Sequence, residues 1–423
     1  MKNQTEFLLG ASTAAHQVEG NNIHSDFWAL EQMEDSGYRE PSLDADDHYN
    51  RYEEDIALMA KAGLNAYRFS IEWARIEPEK GVYDENAVRH YGDVLKCCEK
   101  YGIEPVVTMH HFSSPAWLIR EGGWENDKTP EYFAAYCGHV VESLGSRMNY
   151  VCTINEANMG IQISEVAKDI MRQMGITPQI GMRFELPENI RKQKEKEAAV
   201  FGLPSGTAVN TFLTPRTEKG DLLIMKAHEL ARDTMKRICP HIRVGATFSL
   251  FDIQKVQGGD DAADHQWEND FGHYLPYIEK DDFIGIQNYT RKIIGPEGAL
   301  PVPDGAETTQ MGYEFYPESL ANVLRHVAQC TDLPLLVTEN GIATDDDAKR
   351  IEFIRRVLDG IRKCRAEGIP VIGYLHWSLL DNFEWQEGYA KTFGLIAVHR
   401  NTQKRLPKPS LFYLGNMKNE FIK

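Results

Sequence analysis

Leu335-Leu336-Val337-Thr338 is a short apolar run that ends at the carboxylate of Glu339. An amphipathic segment follows at 348–366, and a second apolar run comes next at 371–377. Runs of this length are typical of strands that are covered on both faces, and the segment between them has helical spacing. Together the three pieces predict two parallel strands joined by a helix.

The same alternation runs along the chain on both sides of this unit. Strands are predicted at 7–15, 64–70, 104–110, 150–155, 243–250, 282–288, 335–338 and 371–377. The clearest helices are predicted at 47–61, 84–101, 130–144, 221–238 and 348–366, the third opened by Thr129 as N-cap and Pro130. Eight repeats predict an α/β fold, a single (β/α)₈ TIM barrel with long βα loops, in which residues 1–423 form one catalytic domain.

Two stretches interrupt this alternation. Residues 159–219 are rich in Met and charge and are expected to be partly helical, and residues 252–281 form a shorter, acidic stretch. Both follow strand ends, on the side of a barrel where sites are built. We therefore expect them to be walls of a pocket and not separate domains.

Charge and cysteine content narrow the partners and the compartment. The 423 residues hold 46 Lys and Arg against 63 Asp and Glu, a net charge of −17, which argues against a nucleic acid or an anionic membrane surface as partner. The seven Cys lack CxxC spacing, which predicts free thiols in a reducing cytosol. The sequence has no signal-peptide pattern and no run of roughly 20 apolar residues, so we expect a cytoplasmic protein. The sequence is compatible with a monomer or a homo-oligomer.

Polar and aromatic side chains stand at almost every predicted strand end, where a barrel carries its active residues. Among them, Glu156 and Glu339 end the fourth and seventh strands and should face each other across the mouth. Glycoside hydrolysis needs such a pair, one acid to protonate the leaving oxygen and one carboxylate to attack the anomeric carbon. A single strand-end Glu could equally form a salt bridge or a cap, but two opposing ones favour catalysis. The other strand ends carry Gln17, Arg68, His110-His111, Asn155, Tyr289, Asn340 and His376-Trp377.

The loop after the eighth strand is dense in groups that suit a sugar. It reads Trp377-Ser378-Leu379-Leu380-Asp381-Asn382-Phe383-Glu384-Trp385. Its rings can cover the C–H face of a sugar, and Glu384 can accept from hydroxyls. Core packing is the alternative role for each Trp taken singly.

At this point the chain resembles glycoside hydrolase family 1, the β-glucosidase-like barrels, along nearly its whole length. The resemblance rests on residues 7–20, Tyr67-Arg68-Phe69-Ser70-Ile71-Glu72-Trp73, Thr153-Ile154-Asn155-Glu156, Val337-Thr338-Glu339-Asn340-Gly341 and 377–385. It implies a β-glycosidase, most simply a β-glucosidase with β-galactosidase or β-fucosidase activity open, acting on small β-glycosides.

The resemblance also implies roles for single residues. Glu156 would be the acid/base and Glu339 the nucleophile, which Arg68 and Tyr289 would hold. Asn155 would bind the sugar 2-hydroxyl. The remaining substrate-binding residues would be Gln17, His111, Trp377, Glu384, Trp385 and Phe393, with Trp377 as stacking floor and Phe393 closing the far side.

Several positions depart from the family pattern. Ala157 stands where Pro is usual after the acid/base, Gln287 where Asn is usual, and Phe112 where Trp is usual. Segment 159–219 differs and the part before Asp282 is shortened. These departures leave the chemistry in place and put the aglycone preference in doubt.

Three alternatives stay open. A 6-phospho-β-glycosidase would need a cationic pocket where Glu384-Trp385 stands, although Lys391 is nearby. A sugar-binding relative without catalysis would be signalled by loss of a carboxylate, and both are present. A metal enzyme is disfavoured because His110 and His111, as adjacent strand residues, point to opposite faces and cannot easily bind one metal ion. The acidic run Asp260, Asp261 and Asp264 could bind Ca²⁺, but a solvated loop is the favoured interpretation.

The expected mechanism is double displacement through a covalent glycosyl-enzyme, without cofactor or metal. It requires carboxyl groups roughly 5–5.5 Å apart, whereas about 6.5–9.5 Å would indicate inversion. Glu156 should have a raised pKa, partly because of the other carboxylate. Glucose, galactose and fucose all remain open as the glycone.

Overall fold

Eight parallel strands form a barrel in the computed structural model, which describes residues 6–173 and 188–421. We number them β1 to β8, and β5 is a single strand in two segments. Their bounds are Leu8–Ser12, Ala66–Ser70, Glu104–His110, Tyr150–Ile154, Arg243–Gly245 with Thr247–Ser249, Ile284–Gln287, Leu335–Glu339 and Val371–Trp377.

The barrel closes because each strand pairs with the next and β8 pairs with β1, Leu375 lying opposite Gly10. The first segment of β5 pairs with β4 and the second with β6. A Cβ at Gly10 would lie 1.8 Å from the Ala66 carbonyl oxygen, so only glycine permits this close approach of β1 to β2. The predicted α/β barrel is confirmed.

Helices surround the strands and end where the sequence signals predicted. Glu85–Tyr101 is capped by the Asp84 side chain, which accepts from the Asn86 amide, and stops at Gly102 with φ 66°. The other helices of two turns or more are His48–Ala62, Thr129–Leu144, Met159–Gln173, Glu188–Val200, Glu218–Ile238, Asp260–Asp270, Ser319–Cys330, Asp347–Ala366 and Pro409–Asn416.

Shorter elements fill the loops. The short helices are Ala15–Val18, Asp26–Glu31, Trp73–Ile76, Ala116–Arg120, Gly123–Glu125, Gly145–Arg147, Gly272–Tyr274, Leu275–Ile278, Trp385–Glu387 and Met417–Glu420. A small sheet joins Asp252–Lys255, Arg291–Gly295 and Gly298–Ala299, and a hairpin joins Ile396–His399 to Lys404–Pro407. None of the described helices combines the length and apolar character that crossing a membrane requires.

Some predicted boundaries were wrong for local reasons. The first strand ends at Ser12 and not at 15, since the chain turns into a helix at Ala15, whose amide donates to the Ser70 hydroxyl. Thr129 belongs to its helix and Lys128 precedes it. The helix predicted from 221 begins at Glu218, because the Thr217 side chain caps it by accepting from the Gly220 amide.

The two stretches that interrupt the alternation contain secondary structure of their own. The stretch 252–281 contains the strand Asp252–Lys255 and the helix Asp260–Asp270. The stretch 159–219 is partly helical as predicted, although its residues 174–187 lie outside the described part. All seven Cys are free thiols, as predicted.

Candidate active site

The carboxyl ends of the strands surround a cavity of about 1000 Å³. Glu339 is the last residue of β7, and Glu156 follows the end of β4 by two positions. Both side chains line the cavity, as expected for residues at the carboxyl ends of barrel strands. Six other predicted site residues also line it: His111, Tyr289, Trp377, Glu384, Trp385 and Phe393.

The remaining three predicted residues are fully buried and bond to the cavity lining from behind. Arg68 donates to Glu339, and the amide nitrogen of Asn155 lies 3.2 Å from His111 Nε2. Gln17 Nε2 lies 3.4 Å from Glu384 Oε2 and donates to the Phe383 carbonyl at 2.8 Å. The structure therefore brings all eleven predicted residues into one connected cluster.

Both oxygens of Glu339 accept hydrogen bonds, one from the buried Arg68 and one from the half-buried Tyr289. Arg68 Nη1 donates to Oε1 at 2.5 Å, and the Tyr289 hydroxyl donates to Oε2 at 2.6 Å. Burial raises the pKa of Glu339, whereas the Arg68 charge and the Tyr289 hydroxyl act to lower it. The carboxylate is thus fixed in orientation and its charged form is supported.

Glu156 has a different environment. Burial and then the negative charge of Glu339 raise the pKa of Glu156 well above its usual range. The Ser249 hydroxyl and the Arg68 charge oppose this rise only in part. The two carboxylates therefore differ in the way that an acid and a nucleophile must differ, because Glu156 favours its protonated form.

The backbone at Glu156 is held in a conformation that side chains rarely adopt. Its φ of 45° lies in the left-handed region, which costs on the order of 1–3 kcal/mol for a residue other than glycine. The Glu156 amide donates to Thr247 Oγ1 at 3.0 Å, and the Ala157 amide donates to the Thr247 carbonyl at 2.9 Å. These bonds to β5 hold the turn, and a proline at 157 could not make the second one.

Asn155 lies between Arg68, which holds Glu339, and His111, one of the predicted sugar-binding residues. Its Oδ1 accepts from Arg68 Nη2 at 2.5 Å and from Gln287 Nε2 at 2.7 Å. Burial and then the Arg68 charge lower the pKa of His111 well below its usual range, so His111 is neutral. Gln287, which departs from the family pattern, thus fixes the orientation of the Asn155 amide and leaves its NH₂ group toward His111.

Several buried polar atoms around the cavity have no protein partner within the described residues. They include Gln17 Oε1 and His111 Nδ1. Burial and then the charge of Glu339 raise the pKa of Glu384 to about 8. Buried polar groups normally have hydrogen-bond partners, so these atoms are suited to the hydroxyls of a polar ligand.

Aromatic rings form the walls between these polar groups. Trp377 and Phe393 pack with Ala14 and Ala343, and the Tyr289 ring lies against them. His111 stacks on Trp377 with ring centres 5.7 Å apart. An aromatic wall next to a set of hydroxyl partners matches the two kinds of surface that a sugar ring presents.

The two adjacent histidines, His110 and His111, point in opposite directions, as predicted. His110 packs away from the cavity, with its ring centre 4.8 Å from Trp124 and from Phe212, and its Nε2 lies 3.0 Å from Ser114 Oγ. His111 lines the cavity. Their opposite orientations follow from the alternation of side chains at the end of β3, where His110 is the last residue and His111 comes next.

Sequence reasoning expected the stretches 159–219 and 252–281 to wall the pocket, and both do, but it named none of the residues of the outer cavity. Met159, Ile163 and Val166 line it from the helix that follows Glu156, and Phe251 and Tyr313 line it from other loops. The spacing of the three helical residues was a signal that they share one face. Nothing local to Phe251 or Tyr313 indicates where it points.

Comparisons with known proteins agree with this arrangement. Residues 2–170 and 278–420 match Glycosyl hydrolase family 1. Beta-glucosidase A of Thermotoga maritima is 30% identical over 450 residues, 97% of this chain and 96% of that protein. A 6-phospho-beta-galactosidase of Clostridium acetobutylicum is 28% identical over 477 residues, 98% of this chain and 96% of that protein. The crystal structure of the beta-glycosidase BGL167 is similar with a TM-score of 0.88 at 44% identity, covering 98% of this chain and 96% of that one. The chain belongs to glycosyl hydrolase family 1.

As a member of glycosyl hydrolase family 1, the protein is a glycoside hydrolase, and retention of configuration is general to this family. The family match leaves out residues 171–277. This part includes most of the two stretches that interrupt the predicted alternation of strands and helices. Phe251 and the helix Asp260–Asp270, which line the outer cavity, lie within it. The chain therefore departs from the family pattern where the cavity opens and not where the carboxylates lie.

Proposed function

We propose that the chain is a retaining β-glycosidase of the β-glucosidase type, with Glu339 as nucleophile and Glu156 as general acid/base. The observation that carries the proposal is the contrast between two buried carboxylates on one cavity. Glu339 is held by Arg68 and Tyr289, and the pKa of Glu156 is raised well above its usual range. A double displacement needs this division of protonation states.

The reaction begins with attack of the Glu339 carboxylate on the anomeric carbon. Glu156 donates its proton to the leaving oxygen as the glycosidic bond breaks, and a glycosyl ester forms on Glu339. Loss of that proton leaves Glu156 as a carboxylate, which then takes a proton from water. The hydroxide so formed displaces Glu339, and the sugar leaves with its configuration retained.

The sugar at the cleaved bond is read by the groups around the carboxylates. Asn155 is assigned to its 2-hydroxyl, since Arg68 and Gln287 occupy the Asn155 oxygen and orient the NH₂ group. Trp377 forms the stacking floor and Phe393 closes the far side. The other hydroxyls are assigned to Gln17, His111, Glu384 and Trp385, of which Gln17 and His111 keep unpartnered buried atoms.

A phosphorylated sugar is a second candidate because one similar protein is named 6-phospho-beta-galactosidase. The half-buried Glu384 carboxyl lines the cavity and offers a phosphate no positive charge. Lys391, the cation near Glu384 in sequence, donates to the Gln310 carbonyl at 2.8 Å and lies 3.4 Å from Glu387. These contacts favour an unphosphorylated glycone.

The proposal also covers domain organisation, location and partners. Residues 1–423 act as one catalytic domain whose partner is a small β-glycoside. A cytoplasmic location is supported by seven free thiols. The net charge of −17 disfavours a nucleic acid as partner. Homo-oligomerisation is left to measurements of mass in solution.

The test is hydrolysis of p-nitrophenyl glycosides by the purified protein. The panel holds the β-glucoside, β-galactoside, β-fucoside and 6-phospho-β-glucoside. Glu339→Gln serves as the inactive variant and Glu142→Gln, on an exposed helix position, as the matched control. Turnover of an unphosphorylated β-glycoside that is lost only in Glu339→Gln supports the proposal and identifies the glycone.

Two other outcomes overturn parts of it. Turnover of the phosphorylated substrate alone means that Glu384 does not exclude a phosphate. Silence across the panel, in a folded protein, removes the assignment of a β-glycosidase that accepts simple aryl substrates.

A further inference from the structure

The wall beside Glu156 is the surface that a leaving group meets. In the proposed reaction Glu156 protonates the leaving oxygen, so the aglycone lies against the surface next to this residue. That surface is a helix, Met159–Gln173, whose first amide donates to the Glu156 carbonyl at 2.9 Å. The helix lines the same cavity as the two carboxylates.

Two helices converge on this outer part of the cavity. Most of the cavity-lining residues of each follow the spacing i, i+3, i+4, i+7, which places them on one helical face. Those with this spacing are Met159, Gln162, Ile163 and Val166 on Met159–Gln173, and Ala262, His265, Gln266 and Asn269 on Asp260–Asp270. Glu165 and Lys168 also line the cavity from the first helix. The leaving-group site is thus a groove between two helix faces.

The amides and the carboxylate in this groove already bond to one another. Gln266 Nε2 donates to Glu165 Oε2 at 2.9 Å, and Asn269 Nδ2 donates to Glu165 Oε1 at 2.7 Å. Gln162 Nε2 donates to the Ser249 carbonyl at 3.0 Å and to Asp270 Oδ1 at 3.2 Å. A second sugar would bring several hydroxyls to groups that are already paired, and burial of unpaired hydroxyls is costly.

Apolar side chains form a further part of the groove, beside the ammonium groups of Lys168 and Lys292. Met159, Ile163 and Phe251 line it, and Val166 is 58% exposed although it is aliphatic. The Phe251 ring packs under the Lys292 ammonium at 4.2 Å. Exposed apolar surface beside a catalytic cavity gains free energy when an apolar ligand covers it.

We infer that the leaving-group site accepts an apolar aglycone, an aryl or long alkyl group, in preference to a second sugar, and that Ile163 is a specificity-determining residue. The inference rests on the proposed β-glycosidase activity and adds the class of aglycone. Phe251 and the helix Asp260–Asp270 lie in the part of the chain that the family match leaves out, so the preference is a property of this chain.

The test compares kcat/KM for methyl, butyl, hexyl and octyl β-glycosides of the sugar that the nitrophenyl panel identifies. The longer alcohols leave with similar ease, so differences among butyl, hexyl and octyl measure contact with the groove. A fully buried methylene raises kcat/KM by about fourfold, and we expect a steady increase of up to that size. The octyl glycoside should also exceed the disaccharide with the same glycone at both positions.

The variant Ile163→Ala should lower the octyl-to-methyl ratio of kcat/KM by about tenfold, because part of the apolar contact is lost. Leu222→Ala is the matched control, since Leu222 is an exposed aliphatic residue on another helix. It should leave the ratio at the wild-type value. An unchanged ratio in Ile163→Ala overturns the role of that residue.

Failure of this inference is distinguishable from failure of the proposed function. A flat alkyl series, or a preference for the disaccharide, overturns the apolar aglycone while nitrophenyl turnover continues. Loss of all nitrophenyl turnover in the wild-type protein overturns the proposed function itself.

Discussion

Arg68 Nη1 donates to Glu339 Oε1 at 2.5 Å, and the guanidinium is fully buried. The same guanidinium donates through Nη2 to Asn155 Oδ1 at 2.5 Å. One cation therefore fixes both the proposed nucleophile and the residue assigned to the sugar 2-hydroxyl. Because the pair is buried, solvent and salt screen it little, and its geometry is maintained in the absence of substrate.

Tyr289→Phe should weaken catalysis by removing the second donor to Glu339. The lost bond is 2.6 Å long and goes to a charged group, so kcat/KM should fall about 10- to 100-fold. The hydroxyl favours the ionised form of Glu339, so its removal raises the Glu339 pKa. The acidic limb of the kcat/KM profile should move to higher pH, since attack needs the carboxylate.

The measurement is a full pH profile of kcat/KM for wild type and variant. Tyr413→Phe, at a half-buried position on the helix Pro409–Asn416, is the control and should leave the profile unmoved. An acidic limb that stays in place in Tyr289→Phe would show that the hydroxyl does not act on the nucleophile.

Glu339→Gly should abolish turnover, with a loss on the order of 10⁴-fold or more, the range seen when an enzyme loses its nucleophile. Azide should restore activity because it fits the space of the missing carboxylate and attacks the same face of the anomeric carbon. The product should be a glycosyl azide with inverted configuration, read by NMR. Absence of rescue, in a variant shown to be folded by circular dichroism, would contradict the nucleophile assignment.

The Glu156 pKa should depend on the charge of Glu339. Glu339 is the second largest cause of its rise after burial, so Glu339→Gln should lower the Glu156 pKa. The same fall should accompany formation of the glycosyl ester, which neutralises Glu339 and prepares Glu156 to act as base. Carboxyl ¹³C NMR titration measures the value directly in wild type and variant.

Glu142→Gln is the control for this titration, since its carboxylate lies on an exposed helix position. It should leave the Glu156 pKa unchanged. An equal or higher Glu156 pKa in Glu339→Gln would mean that the two carboxylates are not coupled, and the proposed exchange of roles would lose its electrostatic basis.

The barrel and the inner site could be predicted from sequence because their signals are local. The strands Glu104–His110 and Val371–Trp377 have the predicted bounds, since their apolar runs stop abruptly. Glu156 and Glu339 come together because parallel strands deliver their carboxyl ends to one rim of a barrel. Knowing that each Glu stands at the carboxyl end of a barrel strand was therefore enough to place both on the same cavity.

The stretches that wall the outer cavity could be predicted, but its individual residues could not, because their placement depends on contacts distant in sequence. The bond from Gln266 to Glu165 joins residues 101 positions apart. The helix Asp260–Asp270 has only Ala263 and Asp270 buried, so it lacks the apolar spacing that marks a helix in sequence. The Phe251 ring lies under the Lys292 ammonium at 4.2 Å, a contact that its own neighbours along the chain do not indicate.

Arg216 provides the last prediction, because it holds the turn that carries Glu156. Its buried guanidinium donates through Nη1 to the Ala157 carbonyl at 3.0 Å and through Nη2 to the Phe212 carbonyl at 3.1 Å. The left-handed backbone of Glu156 needs such support, and Ala157 lacks the fixed φ that a proline would supply. Arg216→Met should therefore misplace the general acid without removing it.

A misplaced acid matters only when the leaving group needs a proton. Arg216→Met should lower kcat/KM for an alkyl β-glycoside about tenfold more than for the dinitrophenyl β-glycoside. This difference is smaller than the 10²- to 10⁴-fold that general acid catalysis contributes in full, because the acid is misplaced and not removed. Arg365→Met is the control, since Arg365 is an exposed residue on the helix Asp347–Ala366 that likewise donates to a carbonyl, that of Phe421. Equal losses on both substrates, accompanied by a lower Tm, would instead assign Arg216 to stability alone, because unfolding removes activity without regard to the leaving group.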